Sequence, residues 1–520
     1  MVPRIRQTLL VLIAIAIALP ASAQGTHKRR KKTAIVQNHR RKPSKSRSPK
    51  AESPIAAVAH FTSPRSAAAL ASDFGIFLER TRSGEWGVMV TSVSRGDTLF
   101  SRNAGTELKP ASTMKLFTTG LAFDRFGANY QFSTDALRDG SVSGDGTLQG
   151  NIILRGDGDP SLSGRFMDGG PNAPMAALAQ RVVAAGIKRV TGDVIGDATA
   201  FDDARIPEGW LSRYLGAGYA ARVSGLSLNE NVVWVAVSPG TGSRAEVALE
   251  PMTTTLTVVN NARTVGGSGA SLRMSKRSDG TITVTGSIGR SSPTRKYSYV
   301  VDDPALFATG AFRAALQAAG VQIGGATRLA ATPPKAAKIA SIESPPLARM
   351  VSAMNRESIN HYAELLFRDG ARGPQRSAQG SVANGNHAMH QFFTKVGADT
   401  STIYNADGSG LSVNDRLTAR AMIQLLDYAH HASWGPEFHA SLPLAGESGT
   451  QRKRMKGSPA QGNLHAKTGT TNDVIALAGY VTATDGEVLA FSFLYNGSDR
   501  WTAKSTIDVM GETLASFGRD

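Results

Sequence analysis

The chain contains no cysteine in 520 residues. That absence excludes a disulfide framework, a thiolate nucleophile and thiolate metal ligands, so stability must come from burial. Only one long apolar run occurs, Leu9 to Leu19, and it is shorter than the roughly 20 residues a membrane-spanning helix needs. Acidic residues are missing from the first 51 positions, Glu52 being the first. The glycine-rich stretch Gly156-Asp157-Gly158-Asp159 lacks the following Lys and Ser/Thr of a phosphate loop and reads as a turn.

What the amino end does contain is ordered. Arg4 and Arg6 precede the apolar run, and Ala21-Ser22-Ala23 follows it, which predicts a cleaved export signal over residues 1–23 and a periplasmic destination. Residues 24–60 form a basic, low-complexity tail running from Lys28 through Lys50. With Arg4 and Arg6 its eleven basic residues supply thirteen positive charges of the formal +17, leaving +4 for residues 51–520. The high isoelectric point therefore belongs to the tail. Such a segment has too little apolar surface to offset its ordering entropy, so disorder is expected, with attraction to an anionic wall or membrane surface. No specific nucleic-acid partner is expected after export.

Beyond the tail the chain is long enough for two or three domains. Apolar spacing predicts a helix over 66–82, strands over 86–102 joined at Arg95-Gly96-Asp97, and a helix beginning at Ala111 or Ser112 after Pro110. From about 131 to 332 short alternating strands lie between Gly-rich turns, as in an insertion. Helices resume at 347–355 and 360–368, and a hairpin over 474–482 and 488–495 precedes a closing helix at 501–517. The boundaries expected are 61–134 and 336–520 for one split domain and 135–335 for an inserted region of two small domains. His387 and His390 lie in a Gly- and Asn-rich stretch read as a loop, with no ligand cluster around them.

Three fragments carry chemistry. In Ser112-Thr113-Met114-Lys115 the serine and lysine share a helical face, so the amine lies within reach of the hydroxyl, a poor nucleophile until a base removes its proton. A helix start also presents free NH groups to a developing oxyanion. For Lys115 to act as that base, its pKa must fall from about 10.4, through burial or a neighbouring cation such as Lys467. In Ser358-Ile359-Asn360 a second hydroxyl can relay a proton while an amide holds a substrate peptide group. Lys467-Thr468-Gly469-Thr470 precedes the hairpin, where Lys467 and Thr468 suit a substrate carboxylate. Gly469 there clears room for a substrate backbone to add as a strand, and the NH groups of Ser112 and Thr470 form an oxyanion hole. Alone, each fragment fits an ordinary helix cap, loop or strand end equally well.

Together and in this order, the motifs resemble the D-alanyl-D-alanine carboxypeptidase/endopeptidase family, the low-molecular-mass class C penicillin-binding proteins with a large insertion between the first two motifs. Ser112 and Ser358 are 246 positions apart. Further similarity lies in Phe201-Asp202, Ser227-Leu228-Asn229, Asp407-Gly408-Ser409-Gly410-Leu411-Ser412 and Gly446 to Thr450. The resemblance implies an α+β fold, a penicillin-binding/β-lactamase-like transpeptidase domain with an antiparallel sheet flanked by helices and a mainly β insertion. It implies Ser112 as the acylated nucleophile, Lys115 as general base, Ser358 and Asn360 in relay and substrate holding, and Lys467 with Thr468 at the carboxylate. The implied substrates are peptidoglycan stem peptides, with β-lactams as covalent inhibitors and no metal or cofactor. Asp202 is a further candidate, for the amino group of a diaminopimelate side chain. Two positions depart from the family pattern: Ile359, where many relatives carry Asp, and Val413, where an Arg often meets the acidic side chain of the stem peptide. A serine β-lactamase and a catalytically silent wall-binding protein are the competing readings.

Overall fold

The computed structural model describes residues 60–519, so the export signal and nearly all of the basic tail lie outside the described residues. A five-stranded antiparallel sheet organises one region, in the order His465–Thr470, Val474–Thr482, Val488–Asn496, Glu85–Ser92, Thr98–Arg102. Strand alternation divides its side chains between two cores. Ile475, Leu477 and Val481 face the first helix, Ala67–Leu78, and the last, Arg500–Ser516, through Phe74, Ile507 and Leu514. Their neighbours Val474, Ala476, Ala478 and Tyr480 face a larger helical layer built on Lys115–Phe126, Leu347–Glu357, Asn360–Arg372, Val382–Lys395 and Ala419–His431. The alanines are small where that layer must approach most closely.

The helix Val382–Lys395 corrects the expectation of a loop around His387 and His390. Gly and Asn are poor helix formers, but a side chain at Gly385 would stand 2.8 Å from the Phe367 ring, so glycine permits the packing that makes the segment helical.

Residues 133–343 leave and rejoin this region through adjacent strands, Ser133–Arg138 and Ala337–Glu343, which pair antiparallel with each other. They belong to a five-stranded mixed sheet in which Val194–Asp197 runs parallel to both Ile152–Arg155 and Thr327–Leu329. Helices Ala173–Ala184 and Pro304–Ala318 pack on it, and one four-stranded and two three-stranded sheets complete the insertion. One apolar cluster from Ala136 to Ile342 runs through most of these elements.

Ion pairs and hydrogen bonds tie the insertion to the two helices flanking Ser358. Arg165 pairs with Glu357 at 2.6 Å, and Asn360 Nδ2 donates to the Tyr219 carbonyl at 2.8 Å. Asn231 Nδ2 lies 3.0 Å from His361 Nε2, and Arg368 pairs with Asp202 at 2.8 Å. Burial pushes His361 down to about 3, so its neutral ring accepts from the Asn231 amide. Among the described residues, no helix is long and apolar enough to cross a membrane.

Candidate active site

Ser112 sits in a single 3-10 turn, Ala111–Met114, that continues directly into the Lys115–Phe126 helix. The turn is clamped. A side chain at Gly469 would stand 2.7 Å from the Pro110 carbonyl oxygen, and one at Gly410 would stand 1.9 Å from that of Ala111. Gly469 therefore serves the approach of the strand to the serine turn, rather than simply leaving room for an incoming backbone. The strand itself, His465–Thr470, is the edge of its sheet. The Ala466 NH points away from that sheet and donates to the Pro443 carbonyl at 3.0 Å, so the NH groups of Thr468 and Thr470 share the outward edge by alternation.

Lys115 is fully buried. Its Nζ donates to Ser112 Oγ at 3.0 Å, to Asn360 Oδ1 at 2.6 Å and to the Ser409 carbonyl at 2.7 Å. Two of these acceptors cannot give a proton back, whereas the hydroxyl can. A neutral amine with two N–H donors satisfies Asn360 and Ser409 and turns its lone pair to Ser112. Burial brings Lys115 down to about 8, against the nearby carboxylates Asp407, Glu364 and Asp415, which favour the charged form.

Lys467, equally buried, donates to Ser358 Oγ at 2.8 Å and to its neighbour's carbonyl on Thr468 at 2.9 Å. Burial and then the charge of Lys115 push it well below the ordinary lysine range. Burial is the leading cause for both amines, and their like charges disfavour each other. Ser358 caps the Leu347–Glu357 helix at φ 60°, ψ 44°, a left-handed conformation unusual for a side-chain-bearing residue, which aims its hydroxyl at Lys467. Thr468 Oγ1 donates to Thr450 Oγ1 at 2.8 Å. All three motifs therefore meet around Ser112.

The family model for the D-Ala-D-Ala carboxypeptidase 3 (S13) family matches residues 77–517. The chain belongs to this family. It is a serine-type D,D-peptidase. A D-alanyl-D-alanine carboxypeptidase of Actinomadura sp. (strain R39) is 33% identical over 448 residues, covering 83% of this chain and 81% of that protein. The D-alanyl-D-alanine carboxypeptidase DacB of Haemophilus influenzae is 25% identical over 417 residues, covering 79% and 85%. The crystal structure of penicillin binding protein 4 (dacB) from Haemophilus influenzae superposes with a TM-score of 0.70 at 23% identity, covering 85% of this chain and 98% of that one. The α+β penicillin-binding architecture expected from the motifs is the one this S13 chain has.

Asp202 is not among the groups gathered at Ser112. Its carboxylate is held by Arg368, and it lines a separate cavity of about 360 Å³ with Thr199, Phe201 and Arg205. The segment of the insertion that does reach the cleft is 212–220, through the Tyr219 carbonyl on Asn360. Arg213 and Tyr214 from this segment line a cavity of about 280 Å³ beside Ala111, together with Val413, Thr471 and Asn472. Sequence reasoning missed this segment because no periodicity marks it and its functional contact is made by a backbone atom. It also missed Ser409, whose carbonyl on Lys115 is fixed by Asp407. The Asp407 carboxylate accepts from the NH groups of Ser409, Gly410 and Ser412 and from Trp210 Nε1 at 2.6–3.0 Å.

Proposed function

We propose that Ser112 is the nucleophile that this D,D-peptidase acylates, with Lys115 as its general base. The observation that carries the assignment is the buried Lys115 amine at 3.0 Å from Ser112 Oγ, its other two partners being acceptors only. The neutral amine takes the hydroxyl proton as Oγ adds to the penultimate D-alanyl carbonyl. Charge developing on that carbonyl oxygen is met by the NH groups of Ser112 and Thr470. The leaving amine receives its proton through Ser358, and water then hydrolyses the acyl-serine.

Lys467 and Thr468 take the substrate carboxylate, with Gly469 and Thr470 lining the backbone. An incoming carboxylate returns a proton to Lys467, because an opposite charge favours the ammonium that burial alone disfavours. Substrate binding then brings Lys467 the counter-charge that its own surroundings do not supply.

The third stem-peptide residue is assigned to the cavity between Val413 and the 212–220 segment. Val413 offers no charge there, but Arg213 does, its guanidinium lying 5.1 Å from the centre of the Tyr214 ring. A carboxylate-bearing side chain is therefore held by the insertion rather than by the 407–413 loop. β-Lactams acylate the same serine. Export to the periplasm and attachment of the basic tail to an anionic wall surface complete the reading.

Crosslinked muropeptides incubated with the wild type and with S112A provide the test. Release of D-alanine or of uncrosslinked monomers by the wild type only, together with fluorescent-penicillin labelling that S112A abolishes, is the expected outcome. Equal release by both proteins would sink the assignment. The product pattern also divides carboxypeptidase from endopeptidase action.

A further inference from the structure

One buried carboxyl has no task in this chemistry. Glu364 is fully buried on the helix that begins at Asn360, one turn from Asn360 and one turn from Arg368. Its Oε2 accepts from the Gly408 NH at 3.4 Å, and its Oε1 has no partner among the described residues. The next residue along the loop, Ser409, places its carbonyl on Lys115 Nζ at 2.7 Å. Behind Glu364, the buried guanidinium of Arg368 donates to Asp202 Oδ1 at 2.8 Å and to the Ala204 carbonyl at 2.5 Å, both in the insertion. The side chain of Asp202 is about 30% exposed. Asp202 thus touches Arg368 directly, whereas Arg368 acts on Glu364, and Glu364 on the amine beside Ser112, through charge alone.

We propose that Glu364 is a positioning residue for Lys115, its charge governed by the Arg368–Asp202 pair that reaches it from the insertion. This rests on the acyl-serine reading above. The groups facing Glu364 are Arg368 on its own helix, Asp407, Ser409 and Asp415 on the 406–415 loop, and Lys115 on the Ser112 helix. Burial and then the charge of Asp407 push Glu364 up to about 8, while the Ser409 side chain, then Arg368 and the Gly408 NH, pull the other way. Glu364 is in turn a cause that favours charged Lys115. A proton on Glu364 therefore favours the free amine, and its loss favours the ammonium. Asp202 enters by competing with Glu364 for Arg368: with Asp202 ionised the guanidinium is already compensated, and Glu364 keeps its proton to higher pH.

The signs make the test. Acylation needs the free amine, so its rate rises with pH through the titration of Lys115. Glu364→Gln removes a carboxyl that favours the ammonium and moves this acid limb to lower pH, by about one unit. Asp202→Asn leaves Arg368 to Glu364 alone, promotes ionisation of Glu364 and moves the limb to higher pH, by about half a unit. In the double variant the Asp202 effect vanishes, because the carboxyl through which it acts is gone.

The measurement is the second-order rate of Ser112 labelling by a fluorescent penicillin between pH 5 and 10. Opposite shifts in the two single variants, with no further shift from D202N in the E364Q background, are expected. Shifts of the same sign, or unshifted profiles in proteins that still label, would overturn the proposal and leave these residues as packing. A packing role lowers the amplitude without moving the limb. Asp202, at the surface, carries the test alone should the buried exchange cost the fold. Failure of the wild type to label at all would strike the acyl-serine reading instead.

Discussion

At the scale of the residue, the central fact is that two lysines, neither in a direct salt bridge among the described residues, share one buried site. Lys115→Met keeps most of the volume and removes the base, and turnover should fall by about 10²–10⁴-fold while thermal unfolding remains cooperative. Steady-state hydrolysis of a D-alanyl-D-alanine peptide, with a melting curve on the same sample, decides this. Ser358 offers a sharper case, because its left-handed backbone conformation costs a side-chain-bearing residue free energy that glycine does not spend. Ser358→Gly should therefore raise stability by up to about 1 kcal/mol while depressing turnover, a split that denaturant unfolding and kinetics together reveal. An activity that survived the exchange would remove Ser358 from the proton path.

At the scale of the element, what matters is how closely the edge strand and the serine turn approach. Gly469→Ala puts a methyl group 2.7 Å from the Pro110 carbonyl, inside contact distance, so strand and turn must separate. Penicillin labelling of this variant should slow by at least about tenfold, a cost in line with displacing reacting groups by a fraction of an ångström. Much of the element level was legible in the sequence. The hairpin at Val474–Thr482 and Val488–Asn496 and the helix after Ser112 follow from alternation and helical spacing. The helix Val382–Lys395 was illegible because its Gly and Asn content argues locally for a loop, and only the Phe367 ring across the interface reverses that preference. The three motifs could be read because each sits on an element with a strong pattern. The Tyr219 carbonyl could not, since a backbone acceptor leaves no side-chain signature.

At the scale of the whole molecule, buried titratable groups set a pH dependence of stability whose sign can be worked out. Glu364 and Asp369 are pushed up by burial to about 8 and about 7. The native state holds their protons longer than the unfolded chain does, so they destabilise the fold progressively as pH rises from the ordinary carboxylate range to about 8. Lys115, lowered by burial to about 8, acts oppositely above that point: the unfolded chain holds the extra proton up to about 10.5, and stability recovers with pH. A minimum in melting temperature near pH 8 is expected from scanning calorimetry, and Glu364→Gln should flatten its acid side. The basic tail makes a separate prediction. A chain lacking residues 24–59 should lose salt-sensitive retention on isolated cell walls and keep its turnover of a soluble peptide.

The clamping of Ser112 between Gly410 and Gly469 also bears on how drug resistance can arise. A methyl group at either position forces the serine turn to move and slows its acylation by substrate and β-lactam alike, so neither position offers a route that separates the two. Variants that evade β-lactams yet still remodel the wall are therefore to be sought in the 212–220 segment, where side chains can change shape against the cleft without disturbing the serine.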